Sequence, residues 1–130
     1  MRLLLDTHVF LWYISGDRRL SPAWQTILRD TANSVYLSVV SVWEASVKHH
    51  LGHLPLPAAP ETYLPEQRRR HAITSLPLDE AHLGPLTTLP ALHRDPFDRV
   101  LICQALAADL TIVTVDAAVR AYPVAVLPQD

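Results

Sequence analysis

Four acids, Asp6, Glu44, Asp98 and Asp116, lie far apart in the chain but in similar local settings. Each closes an apolar, strand-like run or opens a helix-like one. The densest setting is His93-Arg94-Asp95-Pro96-Phe97-Asp98-Arg99, which packs two carboxylates, a proline and several cationic or titratable groups together. Taken singly, each acid has a local explanation. Asp95 reads as a helix N-cap with Pro96 at N1, and Asp98 at N3 completes a capping box and complements the helix dipole. Glu44 fits the capping box Ser41-Val42-Trp43-Glu44, and Asp6 and Asp116 fit N-caps in strand-to-helix turns. Taken together, the four imply a shared site. Carboxylates in one site raise one another's pKa unless a cation neutralises them. The economical cation is Mg²⁺ or Mn²⁺, a hard ion that prefers oxygen ligands and keeps several waters. Such a centre can activate water and stabilise the charge that develops on a phosphodiester.

Other residues narrow the chemistry. The chain has three glycines, none clustered, so there is no phosphate-cradling loop or dinucleotide fingerprint. A phosphate would have to be held by metal and side chains. Lys48 stands one helical turn from Glu44, and Arg94 and Arg99 flank Asp98; each could hold a phosphate or serve as a solvated or ion-paired surface charge. Thr7 and Thr114 could orient ligating carboxylates through their hydroxyls, although threonine at a strand end needs no such role. His49 and His53 have i, i+4 spacing, but no His-Glu-x-x-His pattern accompanies them, so solvated helix-end histidines are the favoured reading over zinc.

These residues need elements to position them. Arg2 to Leu5 reads as a buried strand, followed by a helix from Thr7 to Ser15 stopped at Gly16. Ser21-Pro22 opens a second helix reaching about Ala32, and Val35 to Val39 is a second strand. The Ser41 capping box predicts a helix to Leu51 with Gly52 as its stop. Prolines 55, 57 and 60 stiffen the following connection. Thr62 to His71 is helical but interrupted by Pro65, and carries the basic run Arg68 to Arg70. Ile73 to Leu76 is a short third strand, and Asp79 opens a brief helix toward Leu86. A helix begins at Pro96, then Thr111 to Val115 forms a strand ending at Asp116. A short helix through Tyr122 and a strand from Val124 to Leu127 complete the chain. Strands alternating with helices, with continuous apolar runs in the best strands, imply a parallel sheet covered on both faces. In such sheets ligands bind beyond the carboxyl ends of the strands. Right-handed crossovers start their helices near that edge, so the four acids are expected to converge on one rim.

The totals agree with an ordered globular chain of one domain, residues 1–130: 49% hydrophobic, 18% charged, net charge −2. That balance argues against coating nucleic acid by bulk electrostatics. The single cysteine, Cys103, excludes a disulfide framework and a thiolate zinc site. Met1-Arg2 with Leu3-Leu4-Leu5 only faintly imitates a signal peptide, because Asp6 and His8 break the apolar run; the expected location is the cytoplasm.

The ordered set of segments resembles the PIN-domain ribonucleases, and among them the VapC-type toxins of bacterial toxin–antitoxin pairs. The matching segments are Leu4-Leu5-Asp6-Thr7-His8 with Trp12; Ser41-Val42-Trp43-Glu44-Ala45 with Lys48 and Leu51-Gly52-His53-Leu54-Pro55-Leu56-Pro57; His93 to Arg99 with Gln104-Ala105; and Val113-Thr114-Val115-Asp116. The resemblance implies a three-layer α/β/α fold around a mainly parallel sheet of four to five strands. It also implies an endoribonuclease dependent on Mg²⁺ or Mn²⁺ that hydrolyses RNA with a metal-activated water. Carried over by position, Asp6 and Asp98 are the principal metal ligands. Glu44 completes the core set, Asp116 is a fourth, more variable acid, and Thr114 is the hydroxyl that accompanies it. Asp95 matches the family segment too, but capping suffices to explain it. Lys48, Arg99 and the Arg68 to Arg70 run would hold the RNA backbone. The implied partners are RNA, a cognate antitoxin, a second copy in a homodimer, and operator DNA through the antitoxin; no membrane is implied. After Asp116, Ala117-Ala118-Val119 is lighter than the proline and aromatic common there, and Pro123 replaces a common glycine.

Two rivals remain. An idle PIN-like domain that binds RNA or protein would use the acids as caps alone. A phosphatase with Asp6 as nucleophile would need a second aspartate two residues on, where His8 stands. Trp12, Trp24, Trp43 and Tyr63 could serve an interface, but core packing is the default expectation.

Overall fold

The computed structural model describes residues 1–92 and 95–129. His93 and Arg94 therefore lie outside the described residues, and with them the charge expected of Arg94 beside Asp98. Four parallel strands, β1 (Arg2–Leu5), β2 (Ser34–Ser38), β3 (Thr74–Leu76) and β4 (Thr111–Val113), form one sheet in the order β3-β2-β1-β4. The central strand β1 has Leu4 opposite Tyr36 on one side and Ile112 on the other. Leu3, Leu4 and Leu5 are all fully buried. Alternation along the strand sends Leu3 and Leu5 into one apolar layer and Leu4 into the other. A run without polar alternation is what a sheet covered on both faces requires.

The first layer contains Val9 and Phe10 from α1 (Thr7–Ser15), Trp24 and Leu28 from α2 (Pro22–Arg29), and Leu64 from α4 (Pro60–Arg70). The second contains Leu101, Ile102 and Ala105 from α5 (Pro96–Ala108) and Val119 from α6 (Ala117–Arg120). Helix α3 (Val39–His50) gives Ala45 to the first layer and Val40 to the second, so it bridges them at the end of the sheet. The result is a three-layer α/β/α fold. A 3-10 helix, Glu80–Thr87, capped by Asp79, packs along α5.

Several boundaries differ from expectation for local reasons. Helix α3 starts after Ser38, whose hydroxyl accepts the Val40 N–H at 3.0 Å, and not at Ser41. Ser41 is buried inside the helix, so Glu44 sits in the second turn. Helix α2 ends at Arg29 because Asp30 turns extended and accepts the Ala32 N–H at 2.9 Å. Helix α4 starts at Pro60 and runs through Pro65 uninterrupted, anchored by the fully buried Leu64. Strand β4 is shorter than expected, and Val124 to Leu127 makes only an isolated parallel bridge, Ile112 to Val126. Pro123 and Pro128 bracket that segment and have no N–H to donate. Among the described residues the sheet therefore has four strands.

From β1 the chain steps outward to β2 and β3 on one side, while β4 lies on the other. The strand order thus reverses between β1 and β4. A crevice at their carboxyl ends is where a doubly wound sheet binds ligands.

Candidate metal centre

Asp6 follows β1 directly and opens α1, with its Oδ1 accepting the His8 N–H at 3.4 Å. Its own N–H donates to the Val113 carbonyl at 3.0 Å, which fixes the residue against β4 at the strand reversal. The Thr114 hydroxyl donates to Asp6 Oδ2 at 2.6 Å and accepts the Asp116 N–H at 3.0 Å. Burial raises the Asp6 pKa above the usual carboxylate value. Thr114 and His8 oppose that shift, and the Glu44 charge adds to it. A buried carboxylate pushed toward its neutral form is a group that a cation would recharge.

Glu44 is 3% exposed. Thr7 donates to its Oε1 at 2.7 Å, Thr7 and Ser41 are hydrogen-bonded at 2.9 Å, and Lys48 forms an ion pair with Oε2 one helical turn away. Partial burial works against the Lys48 charge. The hydrogen bond and charge of Glu44, with Asp95 and Asp98 nearby, outweigh it and hold the ammonium pKa above its usual value. Asp98 is buried in the first turn of α5. Asp95 caps that helix, its Oδ1 accepting the N–H groups of Phe97 at 2.9 Å and Asp98 at 3.3 Å.

Carboxylate oxygens of Glu44, Asp95 and Asp98 lie within 4.8 Å of one another. Asp6 and Asp98 line one small cleft with Leu101, Ile112 and Val119. Asp116 is half-buried outside this cluster, capping α6 by accepting the Ala118 N–H at 2.8 Å. The structure thus gathers Glu44, Asp95 and Asp98; Asp6 lies outside that set but lines a small cleft with Asp98, and Thr114 bonds both Asp6 and the Asp116 N–H. An all-carboxylate donor set with one partly buried lysine beside it fits a hard divalent cation.

The expected basic contacts are distributed differently. Arg99 donates to the Pro90 carbonyl at 2.9 Å and to the Tyr122 hydroxyl at 3.0 Å, which pins the loop before α5 to the end of α6. The Arg68 to Arg70 run closes α4 just ahead of β3. It therefore lies at the amino edge of the parallel sheet, across from the carboxylates. His49 and His50 are taken up by the Leu54 carbonyl at 2.9 Å and the Glu61 carboxylate at 2.8 Å.

Some of the site was not anticipated. Asp95 belongs to the acidic cluster as well as capping α5, a membership set by where α3 presents Glu44. Gln104, fully buried, accepts the Ser38 hydroxyl at 2.5 Å and so joins α5 to the cap of α3. Trp24 is core, but Trp43 is 57% exposed and meets Phe97 edge-on, with ring centroids 4.7 Å apart.

Among solved structures the fold is similar to three. VapBC2 from Rickettsia felis, bound to a DNA fragment from its promoter, gives a TM-score of 0.67 at 14% identity, covering 98% of both chains. VapBC-1 from nontypeable Haemophilus influenzae gives 0.58 at 16%, covering 89% of this chain and 87% of that one. FitAcB from Neisseria gonorrhoeae gives 0.56 at 24%, covering 97% and 96%. At these identities the likeness is one of fold. In sequence the chain is 35% identical over 78 residues to Ribonuclease VapC16 of Mycobacterium tuberculosis, a match covering 54% of this chain and 55% of that protein. The chain thus spans about half the length of this curated relative. The PIN domain family model matches residues 3–124, a span that runs from β1 past α6 and takes in Asp6, Glu44, Asp98 and Asp116; the chain belongs to the PIN domain family.

Proposed function

We propose that this chain is a Mg²⁺- or Mn²⁺-dependent endoribonuclease and the toxin of a toxin–antitoxin pair. The observation that carries the reading is the convergence of Glu44, Asp95 and Asp98 within 4.8 Å, with Asp6 and Asp98 both lining one small cleft. Asp6 and Asp98 are the principal ligands, Glu44 and Asp95 complete the set, and Asp116 stands at its outer edge. Bound there, a divalent cation supplies charge neutralisation and a water of lowered pKa. Thr114 and Thr7 hold Asp6 and Glu44 in place. Lys48, a third exposed beside Glu44, offers its ammonium to a phosphate oxygen. Water attack on phosphorus with cleavage of the P–O3′ bond leaves a 5′-phosphate and a 3′-hydroxyl.

The name of the Mycobacterium tuberculosis relative supports RNA as the substrate, and the VapBC neighbours support an antitoxin partner. A homodimer, with operator DNA reached through the antitoxin, completes the proposed assembly. The test is to sequence RNA 5′ ends after expression of the wild type and of Asp6→Asn. New 5′-phosphate ends confined to the wild type are expected; the same ends from both proteins would overturn the assignment.

A further inference from the structure

Helices α3 and α5 meet through two successive pairs of residues. Glu44 and Asp98 meet in the acidic cluster, and their immediate predecessors, Trp43 and Phe97, meet edge-to-face at 4.7 Å and 78°. The acidic pair is buried, whereas Trp43 is 57% exposed. Trp24, by contrast, keeps only 3% of its surface exposed. An indole is costly to leave in water, and Phe97 fixes its orientation without covering it. We infer that Trp43 is a stacking platform for a nucleobase of single-stranded RNA, adjacent to the phosphate held at the carboxylates. This inference rests on the ribonuclease reading and names the form of substrate that reading requires.

Three considerations favour a base as the occupant. Trp43 directly precedes Glu44, and the ring it meets, Phe97, directly precedes Asp98, so the indole borders the carboxylate cluster where the phosphate would be held. Lys48, ion-paired with Glu44, supplies a cation at the cluster for the backbone phosphate. Stacking on an aromatic face also requires a base that is not already stacked in a duplex, which selects single strands, loops and bulges. Because every base has a π-face, Trp43 contributes affinity and register without choosing among bases.

The other candidate occupant is a second copy of the chain. Val39 and Trp43, one turn apart on α3, and Leu51 just past its end are exposed and could extend an interface. The experiment separates the two. Steady-state cleavage of a single-stranded RNA is compared for the wild type, Trp43→Ala and Trp43→Tyr. In parallel, metal-free binding of that oligonucleotide is compared with binding of an abasic one of equal length, and oligomeric state is measured by sedimentation. Stacking predicts that Trp43→Ala raises KM about tenfold or more, with a smaller effect on kcat. Trp43→Tyr recovers most of the loss, and abasic binding is unchanged by either substitution. An unchanged KM, equal loss on the abasic strand, or dissociation of a dimer with RNA affinity intact would each overturn the inference. A wild type that cleaves RNA while Trp43→Ala matches it sinks the stacking alone; a wild type inert on RNA sinks the ribonuclease reading as well.

Discussion

The Thr114 hydroxyl donates to Asp6 Oδ2 at 2.6 Å and so joins the ends of β4 and β1 at the point where strand order reverses. The same hydroxyl accepts the Asp116 N–H, so one side chain sets both the angle of the Asp6 carboxylate and the turn into α6. Replacing it by valine keeps the volume but leaves two polar groups without their partner. Thr114→Val is expected to cost about 1–3 kcal/mol of stability and to weaken Mn²⁺ binding, while Thr114→Ser retains most of both. Denaturant unfolding and calorimetric titration check the pair.

Asp6 gives the metal-free protein a pH signature. Its folded pKa lies above the unfolded value of 3.8, mainly because burial disfavours the charge. Over that interval the native state binds more protons than the unfolded chain, so this group's contribution to stability falls as pH rises from 3.8 through the folded pKa. Asp6→Asn should flatten that part of the profile. Added Mg²⁺ should restore stability at neutral pH, by about 2.7 kcal/mol at a hundredfold excess over Kd. Thermal melts across pH, with and without metal, measure both effects.

Asp95 has two roles that substitution can separate. Serine keeps a capping oxygen for the Phe97 N–H but removes the carboxylate; alanine removes both. Asp95→Ala should lose about 0.5–2 kcal/mol of stability while Asp95→Ser loses little. Both should bind Mn²⁺ more weakly than wild type. If serine retained full metal affinity, Asp95 would be a cap only.

Lys48→Met leaves Glu44 buried with Thr7 as a partner but without its countercharge. Stability should fall, by less than the ~3–5 kcal/mol typical of fully buried pairs, because Lys48 is 33% exposed. RNA cleavage should fall too, and divalent metal should rescue stability more than it rescues cleavage. Melting with and without Mg²⁺, beside initial cleavage rates, tests this.

What could be read from the residues alone was set by how local the physics is. Asp95-Pro96 and Ser21-Pro22 mark helix starts by chemistry contained within a few residues, and both lie where expected. Ser38 and Ser41 are both acceptable caps for α3, and local pattern favours Ser41. The choice falls to Ser38 through its bond to Gln104, 66 positions away, and Ser41 is instead packed against Thr7. Val124 to Leu127 has strand-like composition and bonds Ile112 through Ala125 and Leu127, but Pro123 and Pro128 on either side have no N–H with which to extend the ladder. Asp95 was legible as a cap and not as a member of the acidic cluster, since that membership depends on where α3 presents Glu44. For Arg99 the charge beside Asp98 suggests a phosphate contact, and what the sequence does not show is that its Nη1 bonds the Pro90 carbonyl and the Tyr122 hydroxyl, 9 and 23 positions away.

Ribonuclease action by this chain requires its carboxylates to form one metal centre. The direct measurement is RNA cleavage in Mg²⁺ by wild type and by Asp98→Asn, with Mn²⁺ affinity and folding measured on the same preparations. The prediction is metal-dependent cleavage by the wild type, and loss of both cleavage and Mn²⁺ affinity in a folded Asp98→Asn. Undiminished cleavage and metal affinity in that variant would contradict it.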